Sequence, residues 1–126
     1  MIMPYLHFPG TCEEAFRFYA ETFDGEITAL SRLNNDPNNN VMHAQVRLTE
    51  SGGSISGSDT VRSDKDISGM EILVFLPSRE RVEQILPKLA AGGAIISEFA
   101  PHPPPDDEGG GAAVLDKYGY TWFLCV

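Results

Sequence analysis

The chain is poor in basic residues, in cysteine and in uninterrupted apolar stretches, and each shortage removes a class of function. Nine Lys and Arg stand against 18 Asp and Glu, a formal charge of −9 at pH 7. A nucleic-acid surface needs a basic stripe to meet the phosphate backbone, and none is present, so no nucleic-acid partner is expected. No apolar run approaches the roughly 20 residues that span a bilayer, and no basic segment leads into a signal-length apolar core, so no membrane partner is expected either. The two cysteines, Cys12 and Cys125, fall outside any Cys-x-x-Cys pair. They read as free thiols of a cytoplasmic protein, with an accidental bridge between them left open. The three histidines, His7, His43 and His102, have no elbow-type serine motif beside them. Gly109-Gly-Gly111 lacks the Lys-Ser/Thr of a phosphate cradle.

What is present is enough for a core. Of 126 residues 42% are hydrophobic and 10% aromatic, which suits one small domain and argues against disorder. A first strand over residues 3–8 closes at Pro9-Gly10. Thr11 is placed to cap a helix whose Glu13 and Glu14 favour the positive end of its dipole. Cys12, Ala15, Phe16, Tyr19 and Phe23 recur at helical spacing, and Asp24-Gly25 ends the run. Strands follow at 26–33, at 41–48 and, weaker and rich in Gly and Ser, at 52–59. In the third strand, alternation sets Met42, Ala44, Val46 and Leu48 against His43, Gln45 and Arg47.

The second half repeats the order. After a polar linker, Asp64–Gly69, come a strand at 70–76 and a helix capped by Ser78 with Val82, Ile85, Leu86 and Leu89 on one face. Pro87 removes one backbone bond from that helix and should kink it. Gly92-Gly93 ends it, and strands at 94–98, 112–116 and 120–125 surround a Pro, acid and Gly loop, Pro101–Gly111. The expectation is an α+β fold of tandem βαβββ modules, about 1–60 and about 68–126, in a single domain. The modules share a curved, barrel-like mixed sheet around a cavity, with a site where the halves meet.

Several segments carry a resemblance: Tyr5-Leu-His-Phe8, Gly10-Thr-Cys-Glu-Glu-Ala-Phe-Arg-Phe-Tyr19, Phe23-Asp-Gly-Glu-Ile27 and Val41-Met-His-Ala44, then Gly92-Gly93 and Asp116-Lys-Tyr-Gly-Tyr-Thr-Trp122. In this order they resemble the PhnB-like branch of the glyoxalase/bleomycin-resistance/extradiol dioxygenase (vicinal-oxygen-chelate) superfamily. The resemblance implies the paired-module fold, a homodimer, and in many relatives a divalent metal held by His and Glu from both modules. It does not by itself imply one function, because related folds carry very different ones.

If the helices cover the more apolar strand faces, His7 with Tyr5, and Glu71 with Leu73 and Phe75, face the cavity. His7 and Glu71 are then pseudo-equivalent candidate metal ligands, although a one-residue slip of the first strand would turn His7 away. The fourth strand offers Ser54, Ser56 and Ser58 and the last offers Trp122 where carboxylates would be needed, so the metal site is incomplete by the three-ligand rule. The candidate ligand-binding set is His7, His43, Gln45, Ser56, Glu71 and Trp122. No cofactor is expected, a divalent metal being the alternative. The expected function is small-molecule binding. The alternatives are a metal-dependent lyase, isomerase or dioxygenase, and sequestration of a cationic antibiotic, for which Asp106-Asp-Glu108 would form an acidic lid.

Overall fold

The structure, a computed structural model, describes residues 1–59, 68–106 and 108–126; most of the 64–69 linker and Asp107 lie outside them. Two compact units divide the chain, Met1–Lys65 and Asp66–Val126. In the first, β1 (Tyr5–Phe8) leads to α1 (Cys12–Phe23), then β2 (Glu26–Arg32), β3 (Val41–Arg47) and β4 (Ser54–Asp59). In the second, β5 (Ile72–Phe75) leads to α2 (Arg79–Leu89), then β6 (Ala94–Pro101), β7 (Gly110–Leu115) and β8 (Thr121–Cys125). The expected α+β order of strand, helix and three strands holds in both. The shared sheet does not: each unit has its own four-stranded sheet, ordered β1-β4-β3-β2 and β5-β8-β7-β6. Each is mixed, with one parallel pair, β1 with β4 or β5 with β8, and antiparallel pairs elsewhere.

Helix α1 buries Cys12, Ala15, Phe16, Tyr19 and Phe23. They pack on Leu6, Phe8, Ala44, Val46 and Ile55, all nearly inaccessible. Phe8 and Phe16 meet edge to face at 5.8 Å. Phe16 lies over Gly57, where a Cβ would fall 3.0 Å from the ring and 2.6 Å from the Leu6 carbonyl oxygen. Any larger residue there would lift the helix off the sheet.

Thr11 makes no capping bond with its side chain. Instead Asp59, at the end of β4, accepts from the Gly10 and Cys12 amides through Oδ1 at 3.1 and 2.9 Å. Its Oδ2 accepts from the Val41 amide at 2.8 Å. A carboxylate from a distant strand thus satisfies helix-start donors that a local hydroxyl usually takes. The same contact explains a correction in β3. The pairing with β2 slips between Ser31 and Arg32, so Val41 is buried while Met42 is 52% exposed, off the side shared by Ala44, Val46 and Leu48.

In the second unit, Ser78 caps α2 as expected, accepting from the Arg81 amide at 3.2 Å. Pro87 lies in its last turn. The loop after β6 is shorter than the sequence suggests. Pro101 pairs with Gly110 and Ala100 with Gly111, and a Cβ on Gly110 would meet the Ala100 oxygen at 2.4 Å, so the glycines admit the close approach. Pro101 is tolerated because β6 is an edge strand. Asp116 anchors the last hairpin, accepting from the Tyr118 and Tyr120 amides at 2.8 and 3.0 Å and from Trp122 Nε1 at 2.9 Å.

Candidate functional site

With Leu6, Phe8, Ala44, Val46 and Ile55 turned to α1, alternation turns the intervening residues of the first sheet to its other face. The pairing brings them into rows. Tyr5 pairs with Ser56 and Ser56 with Gln45, while His7 pairs with Ser58 and His43 with Ser31. Four of the six expected ligand-binding residues, His7, His43, Gln45 and Ser56, therefore share one face, and the strand slip that would have turned His7 away does not occur. The Tyr5 ring approaches both imidazoles, 5.2 Å from His7, tilted by 52°, and 6.0 Å from His43, stacked at 26°. The Ser56 hydroxyl donates to the Met3 sulfur at 2.9 Å.

This face holds unspent hydrogen-bonding capacity. Among the described residues, the Tyr5 hydroxyl, the Gln45 amide, the Ser58 hydroxyl and the ring nitrogens of His43 take no hydrogen bond. None is fully sequestered. At the margin, Arg47 donates to the Thr49 carbonyl at 3.0 Å and sits 3.9 Å from the exposed Glu26 carboxylate. That leaves most of its five N–H donors for other partners.

Glu71 and Trp122 are placed differently from expectation. Glu71 is exposed and precedes β5. Trp122 pairs with Ile72, and with Val74, Ala112, Val114 and Leu124 it belongs to the inaccessible side of the second sheet, on which α2 packs. Its indole N–H is bonded to Asp116. Leu73, Phe75 and Phe123 take the opposite side by alternation, so Trp122 is core in this unit and lines no floor with Leu73 or Phe75.

The donor set does not fit a catalytic metal on the first sheet, since two imidazoles without a carboxylate leave one protein ligand missing. Among the described residues no group of three or more His, Cys, Asp or Glu side chains converges. Nor do the thiols offer a nucleophile. Burial, helped by the Asp59 and Glu13 carboxylates, pushes the Cys12 thiol up to about 12. Burial and the Asp106 carboxylate raise Cys125 too, although its sulfur lies 3.5 Å from His102 Nε2. Both stay protonated at neutral pH, and a thiol is a poor nucleophile.

The family described as 3-demethylubiquinone-9 3-methyltransferase matches residues 1–125. The chain belongs to that PhnB-like family. Among solved structures it is similar to a PhnB protein from Bacillus cereus, 29% identical with a TM-score of 0.79, over 98% of this chain and 96% of that one. A glyoxylase/bleomycin resistance protein/dioxygenase domain from Frankia sp. EAN1pec is 17% identical, with a TM-score of 0.73 over 100% and 95%. The fosfomycin resistance protein FosX from Listeria monocytogenes, solved with Mn(II) and sulfate, is 15% identical with a TM-score of 0.68 over 100% and 90%. The last two likenesses show a shared fold. No curated protein matches the chain by sequence.

No helix among the described residues is long and apolar enough to cross a membrane.

Proposed function

We propose that this PhnB-like chain is a small-molecule binding protein whose ligand lies on the open face of the first sheet, against His7, His43, Gln45 and Ser56 with Tyr5 beside them. The observation that carries this reading is the unspent capacity of Tyr5, His43, Gln45 and Ser58. Polar groups drawn together by strand pairing and left unbonded by the protein are those a ligand or ordered water satisfies. A ligand retained through gentle purification is expected as extra mass in native mass spectrometry, lost in a His43→Ala, Gln45→Ala variant. Wild-type protein that carries no extra mass, and whose face shows no amide NMR response to a library of small acids, alcohols and amines, ends this reading.

The metal-dependent alternative draws its support from FosX, which was solved with Mn(II); of its two expected ligands His7 lies on this face, while Glu71 belongs to the second unit. Stoichiometric divalent metal in protein purified without chelator would move the reading there. The assembly in this proposal is a homodimer, since closed twofold symmetry is the commonest oligomer and Leu73 and Phe75 are 52% and 67% exposed. Light scattering that returns a monomer at micromolar concentration removes it. A cytoplasmic setting is supported by the free, buried thiols Cys12 and Cys125.

A further inference from the structure

The first-sheet face departs from the acidity of the molecule that carries it. The chain has 18 acidic residues and a net charge of −9, yet the open face of β1, β3 and β4 carries no carboxylate. Asp59 belongs to the helix side, where three backbone amides hold it. Glu26, at the margin on β2, is 70% exposed and stands against Arg47. What the face presents is His43, Gln45 and Arg47, successive same-side residues of β3, spanning about 13 Å at strand rise. All three can donate hydrogen bonds and one is a permanent cation. Beside them the Tyr5 and His43 rings, 6.0 Å apart with planes 26° from parallel, add aromatic surface for a ring to pack against.

We propose that this face selects a planar organic anion, an aromatic or conjugated carboxylate, over neutral and cationic analogues of the same shape. The ring system packs along Tyr5 and His43, and the carboxylate accepts from Arg47 and from the Gln45 amide N–H. The proposal rests on the reading of this face as the ligand site and adds the charge and shape of what it takes. It runs against the sequestration of a cationic antibiotic that the acidic composition suggests. On this face a cation meets Arg47, and β1, β3 and β4 offer it no carboxylate there to offset that repulsion.

The test is an amide NMR titration of the full chain with naphthoate, naphthylmethanol and naphthylmethylamine, following the residues of β1, β3 and β4. Naphthoate is expected to bind about tenfold more tightly than the alcohol, the scale of one charge-assisted hydrogen bond, with the amine weakest. Arg47→Gln is expected to remove most of that preference while leaving the alcohol's affinity within about twofold, which also reports that the variant is folded. Equal affinity for acid and alcohol, or tightest binding of the amine, overturns the anion proposal and leaves the ligand face standing. No response of the face to any of the three overturns the proposal and counts against the ligand reading as well.

Discussion

The two units share one backbone plan and fill it in opposite ways. Gly25 and Gly93 fix their alignment, because a Cβ on either would fall 2.0 Å from a carbonyl oxygen, that of Arg47 in one unit and of Leu115 in the other. From this pair the strand registers set Gln45 against Ala113, Ser56 against Phe123, Tyr5 against Leu73 and His7 against Phe75. The open face of the first sheet is therefore polar and that of the second apolar. Glu71 falls at the position of Met3 and not of His7, which corrects the expected His7/Glu71 equivalence. Size is exchanged as well as polarity. In the second unit a Cβ on Gly111 would come within 2.5 Å of the Phe123 ring, whereas in the first unit large His43 stands diagonal to small Ser56. A repeated fold holds its helix-covered side to apolar packing and leaves the other side free to diverge.

The largest expected effect tests the covered side. Trp122 is fully buried and bonded to Asp116, so Trp122→Ala should cost about 3–5 kcal/mol in urea unfolding. A cost under about 1 kcal/mol, the range of exposed positions, would place Trp122 on the open face after all.

Next come the two anchoring carboxylates. Asp59→Asn should cost about 1–3 kcal/mol, because either orientation of the amide sets an N–H against the backbone N–H groups that both oxygens now accept. Asp116→Asn should behave alike if the carboxylates do equivalent work in the two units, and calorimetry of both variants compares them.

The size exchange is open to a double-mutant cycle. Ser56→Phe alone overpacks a face where Tyr5 and His43 already stack, and His43→Gly should recover about 1 kcal/mol of the loss. A ring at position 56 that costs the same with and without His43 breaks the Gly111/Phe123 analogy.

The smallest effect is electrostatic and belongs to the first unit. Hydrogen bonds from Arg32 and then Arg17, at 2.6 and 2.7 Å, hold the Glu13 carboxyl below its ordinary range. A lowered acid contributes stability above its unfolded pKa, near 4.3, and loses it as the pH falls through the folded value. Glu13→Gln should thus cost about 0.5 kcal/mol at neutral pH and nothing once wild-type Glu13 is protonated, as thermal midpoints across that range will read.

Much of this architecture was legible from local pattern. Helical spacing over Cys12–Phe23 and Val82–Leu89 named the buried faces, and alternation through His43, Gln45 and Arg47 named one side of β3. Both rest on the fixed geometry of a single element, which the sequence alone expresses. The side taken by Trp122 was not legible, because Thr-Trp-Phe-Leu-Cys is apolar at adjacent positions and shows no alternation. Only its pairing with Ile72–Phe75 assigns the faces.

The sequence by itself thus determined the order of the elements, the helix faces and the His43, Gln45 and Arg47 side of β3, because each follows from periodicity within one segment. Tertiary structure decided what depends on partners distant in the chain. Asp59 replaces Thr11 as the cap across 47 residues, the slip opposite Ser31 turns Met42 outward, and pairing gives His7 the counterpart Phe75. Strand register and long-range hydrogen bonds are set by which chains of donors and acceptors meet, and no single segment encodes that meeting.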